Sequence, residues 1–242
     1  MPDSPKYWAV IPAAGVGTRM AADRPKQYLP LAGRTVLEHS LDRLLNHPLI
    51  SGAVVAISGD DEYWAGLEYR HAKPLRVAPG GAERCDSVRN ALRVLLETAQ
   101  ADDWVLVHDA ARPCVRETDI SQLIARCTQH PVGGILAVAA RDTLKQAAES
   151  REDTAISSTI ATTTIATTID RSHLWHAQTP QMFRLGVLHD VLSRARAAGV
   201  SLTDEASALE WAGQAPLLVE GHEDNIKITR PGDLALAEFF LS

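Results

Sequence analysis

The sequence predicts an α/β fold with a mostly parallel sheet covered by helices on both faces, and three observations predict it. Short apolar runs at residues 8–14, 53–57, 75–77, 104–108 and 134–140 alternate with stretches of helical period. Those runs are almost wholly apolar, which marks strands buried on two faces. The residues suited to chemistry, Gly15, Gly80, Asp109 and Arg112, fall just past the carboxyl ends of the strands. Ligands of open parallel sheets bind there, so the expected arrangement is Rossmann-like.

The elements follow in order. The first strand, 8–14, empties into a loop. Thr35-Val-Leu-Glu38 reads as a capping box opening a helix whose stripe is Val36, Leu37, Leu41, Leu44 and Leu45, ended by His47-Pro48. Strands at 53–57 and 75–77 precede Pro79-Gly-Gly-Ala and a helix from about 86 to 97. A fourth strand at 104–108 ends in Asp109-Ala-Ala-Arg-Pro113, a helix from about 118 to 128 follows, and 134–140 is a fifth strand. Further on, 185–198 is a helix closed by Gly199, and Thr203 caps another with Asp204 and Glu205 in its first turn. Short strands are expected at 217–220 and 226–229, and Pro231 starts a terminal helix.

Residues 141–171 break the alternation. The segment begins polar and turns rich in threonine and isoleucine, which favours strands. Thr159-Ile-Ala-Thr-Thr163 is repeated at once as Thr164-Ile-Ala-Thr-Thr168, and a period of five fits neither helix nor strand. Five extra residues would reverse the faces of every later side chain in a strand unless a bulge or loop absorbs them. The expectation is one domain, 1–242, with a projecting β-arm at 141–171 that has acquired a tandem insertion.

Composition sets the broad class. Hydrophobic residues at 45% and charged residues at 22% are those of a soluble globular protein long enough to bury a full core. A formal charge of −6 argues against a nucleic-acid or membrane-surface binder, so a polyanionic substrate would need a local cluster of cations. No signal-like or membrane-spanning run stands out in the sequence. Cys85, Cys114 and Cys127 are widely spaced and lack a Cys-x-x-Cys pair, which suits a reducing cytoplasm. His173 and His176 lack a third ligand nearby and read as surface or packing residues.

The loop after the first strand carries the strongest signal. Gly15 and Gly17 let the backbone approach a ligand and turn successive N–H groups toward an anion; Arg19 and Lys26 add cations, and Pro25 stiffens the turn. Gly15-Val-Gly-Thr-Arg-Met lacks the third glycine of the dinucleotide fingerprint, and the acidic residue expected about 20 positions on is replaced by Glu38 in a helical pattern. No Gly-Lys-Ser/Thr tripeptide is present, which excludes a Walker loop. Gly80-Gly-Ala-Glu-Arg-Cys-Asp-Ser87 offers a second contact for an anion or base ahead of a helix. Asp109 suits magnesium, which takes one or two carboxylates with substrate phosphates, though a turn aspartate would look the same. Arg112, Arg171 and Lys227 lie in otherwise neutral segments, and Thr143, Thr179 and Thr203 have hydroxyls to offer a phosphate.

Taken jointly and in this order, the motifs resemble those of the 2-C-methyl-D-erythritol 4-phosphate cytidylyltransferases, a nucleotidyltransferase family. They are Pro12-Ala-Ala-Gly-Val-Gly-Thr-Arg-Met, Pro25-Lys-Gln-Tyr-Leu-Pro, Val107-His-Asp-Ala-Ala-Arg-Pro113, Ala177-Gln-Thr-Pro-Gln181, Thr203-Asp-Glu-Ala-Ser207 and Glu220-Gly with Asn225-Ile-Lys227. The region 155–169 is longer than the family pattern. The resemblance implies cytidylyl transfer from CTP to a phosphorylated polyol, methylerythritol phosphate, with release of pyrophosphate. It implies that Arg19 and Lys26 stabilise the triphosphate and that Arg171 and Lys227 position the second substrate. Pro12, Ala13, Ala14, Gly15, Gly17, Gly81, Ser87 and Ala110 would hold the nucleotide. Asp109, Arg112, Thr143, Thr179 and Thr203 would surround the polyol phosphate, with Asp109 also the ligand of Mg2+ or another divalent ion and Asn225 a second candidate. It also implies a homodimer formed through the β-arm.

Two other readings compete with this one. A ribitol-5-phosphate cytidylyltransferase would share the nucleotide half. A non-catalytic nucleotide-binding sensor would need neither Lys26 nor Asp109. A dinucleotide-dependent dehydrogenase is set aside by the missing glycine and acidic residue.

Overall fold

The computed structural model describes residues 4–15, 24–148 and 163–242. The expectations resting on Gly17, Arg19 and the first part of the threonine repeat lie outside those residues. The chain runs from β1 (Tyr7–Pro12) through a 3-10 turn, Lys26–Tyr28, to a hairpin of β2 (Pro30–Leu31) and β3 (Arg34–Thr35). Ala32 and Gly33 both take positive φ at its tip, 45° and 79°, the conformation that tight hairpins require. The helix α1 (Val36–Leu45) then starts at the predicted box. Thr35 Oγ1 accepts from the Glu38 amide at 3.3 Å, and the Glu38 carboxylate accepts from the Thr35 amide at 2.7 Å.

Next come β4 (Ile50–Ile57), β5 (Leu75–Pro79), α2 (Arg84–Leu96), β6 (Trp104–Val107), α3 (Glu117–Cys127) and β7 (Gly133–Ala139). The hairpin β8 (Leu144–Ala147) and β9 (Ile165–Ile169) pairs antiparallel within the predicted arm, and all but the first residue of the second repeat copy lie in β9. The chain then forms β10 (Trp175–Arg184), α4 (Leu185–Ala197), α5 (Glu205–Trp211), β11 (Leu217–Glu220) and α6 (Gly232–Leu241).

Seven strands form one sheet in the order β11-β7-β10-β6-β1-β4-β5. All pair in parallel except β10, which runs antiparallel between β7 and β6. Alternation within the strands assigns the two faces. Ala9, Ile11, Val55 and Leu106 pack with Leu37, Leu41 and Leu44 of α1 and Ile120 and Leu123 of α3. Their neighbours Val10, Val54, Val105 and Val107 pack instead with α2, α4 and α5. A third cluster, including Leu29, Val36, Ile228 and Ala237, seats α6 beside the 3-10 turn.

Three readings of the sequence are corrected. The helix α5 is capped by Asp204, whose carboxylate accepts from Ser207 N at 2.9 Å, and Thr203 precedes the cap. An aspartate in the same sequence neighbourhood competes for that place as well as a threonine does. Residues 226–229 form no strand: Ile228 N bonds Ala111 O at 2.9 Å in an isolated backbone contact, and Lys227 beside it faces Asp109. β10 was not predicted, because Gln178, Thr179, Pro180 and Gln181 break any strand pattern. The structure accommodates them with a register shift between Ala177 and Gln181.

Candidate active site

Because β10 alone is reversed, the carboxyl ends of the other strands and the amino half of β10 meet at one edge of the sheet. There a cavity of about 280 Å3 opens between the loops after β1, β5, β6 and β11. The β1 loop contributes Pro12, Ala13, Ala14 and Gly15, and the following 3-10 turn contributes Lys26. Gln27 is buried and donates from Nε2 to Ala13 O at 2.6 Å, tying that turn to the strand end. Lys26 Nζ donates to Ile228 O at 3.0 Å, which binds the first loop to the last.

The β5 loop supplies Gly81, and the first turn of α2 supplies Ser87. Gly81 N donates to Ser87 Oγ at 3.0 Å. A side chain at Gly80 would overlap the Ala14 side chain, and one at Gly81 would overlap Asp86. These glycines are thus required by the packing of loop on loop, a use separate from their approach to a ligand. Among the described residues nothing comes within 4 Å of where a side chain at Gly15 would sit.

The opposite wall is charged. Asp109, at the end of β6, is 10% exposed in its side chain, with Ala110 beside it in the cavity wall. Its Oδ1 accepts from Arg84 Nε at 3.0 Å, and its Oδ2 lies 2.8 Å from Lys227 Nζ and 3.7 Å from Arg112 Nε. Burial pushes the Asp109 carboxyl up, but Arg84, Lys227 and Arg112 outweigh it and hold the group far below the usual carboxylate range. Arg84 in turn gives Nη1 and Nη2 to Glu205 Oε1 and Oε2, at 2.7 and 3.0 Å, while Glu205 is fully buried. Burial raises the Glu205 carboxyl, and Arg84 offsets this only in part.

Beneath Asp109, the Thr179 hydroxyl accepts from Asp109 N at 3.0 Å and meets His108 Nδ1 at 3.0 Å. His108 is fully buried, and its Nε2 lies 2.9 Å from Arg112 O; burial pulls its pKa down to about 4, so it is a neutral spacer. Asn225 is also buried and donates from Nδ2 to Thr179 O at 2.8 Å, while its Oδ1 finds no partner among the described residues. Arg112 Nη1 donates to Asn225 O at 2.6 Å.

Of the residues predicted for the site, Pro12, Ala13, Ala14, Gly15, Lys26, Gly81, Ser87, Asp109, Ala110 and Lys227 line the cavity. Arg112 and Thr179 stand just behind it, the latter as support for Asp109. Thr143, Arg171 and Thr203 are exposed and do not line the cavity of their own chain. Sequence reasoning missed Arg84 and Glu205. Arg84 fell in the predicted loop ahead of a helix placed at 86, and Glu205 read as an ordinary first-turn acid.

A cavity walled by glycine-containing loops on one side and by Asp109, Arg84 and Lys227 on the other, at the strand ends of a mostly parallel sheet, fits an α/β nucleotidyltransferase. A family model for 2-C-methyl-D-erythritol 4-phosphate cytidylyltransferase matches residues 7–242, and the chain belongs to that family. A protein of that name from Pseudomonas putida strain GB-1 is 56% identical over 231 residues, covering 95% of this chain and 93% of that protein. One from Pseudomonas aeruginosa is 58% identical over 233 residues, covering 96% and 94%. Among solved structures, a 4-diphosphocytidyl-2C-methyl-D-erythritol synthase superposes with a TM-score of 0.81 at 38% identity, covering 99% of each chain. The Francisella tularensis cytidylyltransferase gives 0.80 at 39%, covering 97% and 99%.

Proposed function

We infer that this protein transfers the cytidylyl group of CTP to 2-C-methyl-D-erythritol 4-phosphate, as the family assignment supports. The substrate phosphate oxygen attacks the α-phosphorus of CTP, the bond from that phosphorus to the bridging oxygen breaks, and pyrophosphate leaves. The attacking phosphomonoester has a second pKa of about 6 and is already largely a dianion at neutral pH. No general base is required, and buried His108, held neutral and already bonded at both nitrogens, is not placed as one. The difficulty is to bring two anions together while charge moves onto the leaving group.

The observation that carries this reading is the convergence of Lys26 and Lys227 on one cavity beside Asp109. Lys26, with Arg19, takes the charge developing on the pyrophosphate, and Lys227 meets the phosphate of the second substrate. Asp109 neutralises and aims Lys227 until that phosphate arrives. Gly81, Ser87 and the β1 loop hold the nucleotide. Asp109 also fits the part of a single protein carboxylate for a divalent ion, since magnesium leaves its other positions to phosphates and water. No group of three acidic, histidine or cysteine residues stands ready as a metal cage among the described residues. When bound, such an ion would neutralise triphosphate charge.

The β8–β9 arm supports a homodimer. Ile165 on β9 is 65% exposed and Trp175, where β10 begins, 39%, a surface that a second copy can cover. Arg171, exposed and outside its own chain's cavity, would then serve the site of the second copy. Three free thiols are consistent with a reducing cytoplasm.

Purified protein with magnesium and each of the four nucleoside triphosphates should release pyrophosphate with CTP and methylerythritol phosphate. Activity undiminished in excess chelator would remove the metal role. Mixing inactive Lys26→Ala subunits with inactive Arg171→Ala subunits should restore activity, because one site of the mixed dimer is then intact. No recovery, with subunit exchange shown independently, would return Arg171 to its own chain.

A further inference from the structure

Asp109 has two oxygens, and the structure divides them. Oδ1 faces Arg84, while Oδ2 faces Lys227 and Arg112. A guanidinium beside a carboxylate ordinarily takes both oxygens side by side. Arg84 does not, because Glu205 holds both of its terminal nitrogens and leaves only Nε for Asp109. Glu205 is itself fixed: it is the first residue of α5, fully buried, and the next residue, Ala206, donates its amide to Gln181 Oε1 at 2.9 Å. Gln181 also donates to the α5 cap, Asp204, at 2.8 Å. Arg84 is the first residue of α2, so the pair joins two helix starts to the end of β6.

We propose that Glu205 and Arg84 are positioning residues that reserve the second oxygen of Asp109 for Lys227 and the substrate side of the site. This rests on the role given to Asp109 above. Without the Glu205 charge, the terminal nitrogens of Arg84 lose their fork and turn to the nearest remaining carboxylate, Asp109. Lys227 then loses its partner before substrate arrives. The effect travels through Asp109, so it should fall on turnover and on the KM for the polyol phosphate, with the KM for CTP little changed.

The test is a double-mutant cycle read in kcat and both KM values, with melting temperature measured in parallel. Glu205→Gln should lower kcat/KM for the polyol phosphate by about tenfold or more, given how steeply misplacement near reacting groups costs rate. In an Asp109→Asn background the same change should have less than about a twofold effect, because the oxygen it protects is already gone. Arg84→Lys, which keeps the charge but cannot make the fork, should match Glu205→Gln in the KM split, and it decides the matter alone if Glu205→Gln does not fold. Additive losses, or kinetic constants within twofold of the parent while only the melting temperature falls, would overturn the proposal. If Asp109→Asn is impaired and the two variants are not, the pair fails while the reading of Asp109 stands. If Asp109→Asn is itself fully active, that reading fails and the proposal with it.

Discussion

On the β1 and β5 side of the cavity the contacts offered to a ligand come from backbone, with small residues packed loop against loop; on the β6 and β11 side they come from charged side chains held in a buried network. The first wall is sensitive to added atoms, since side chains at Gly80 or Gly81 would overlap Ala14 or Asp86. The second is sensitive to removed charge, since Asp109, Arg84, Lys227 and Glu205 each answer another. If the first wall holds the nucleotide and the second serves the phosphoryl chemistry, as proposed, the two functions rest on different kinds of interaction and substitutions should separate them.

The sharpest separation is expected at Lys26, a charged residue at the mouth of the backbone wall. Lys26→Ala should lower kcat by about 10²- to 10³-fold, the scale for losing a preorganised donor to developing charge. CTP affinity, measured by calorimetry, should change far less. Equal losses in both would make Lys26 a ground-state binder and blur the division between the walls.

A smaller effect of the opposite kind is expected at Gly81. Gly81→Ala must displace Asp86 or the start of α2, an overpacking that costs about 1–3 kcal/mol. CTP should bind about tenfold more weakly, while the turnover of bound substrate stays close to the parent's. A fall in kcat with unchanged CTP affinity would show that this wall also acts in the chemical step. The smallest change lies away from both walls. Thr35→Ala removes the α1 cap, costs about 1 kcal/mol, and should leave kinetics alone while the thermal midpoint falls by about 2–4 °C.

The backbone wall was the more legible in sequence. Strand, glycines and cations follow one another within residues 8–26, so local reading placed them together, and the apolar runs announced β1, β4, β6 and β7 within a few residues. The charged wall was legible only in parts. Asp109 stood out by its place after a strand, but Arg84 and Glu205 are 121 residues apart, and each alone looks like a helix-end charge. β10 was hidden for a related reason. Its polar residues serve partners such as Asp109, His222 and Asp204 across the fold, so they carry no periodic pattern along the chain. Period reveals which face of an element is buried, not which distant side chain needs a hydrogen bond.

The register shift in β10 has a consequence for how this enzyme can vary. Residues 175–177 and 181–183 pair with β7 as two separately seated segments. The outer segment continues from the arm, and the inner one is bolted between β6 and β7. Thr179, which supports Asp109, sits at the joint. Length added to the arm would therefore be taken up upstream of a joint that resets the strand before it enters the core. The arm is thus joined to the core as a fitting to a fixed socket: a change in its length need not move Asp109, which Thr179 supports from the joint.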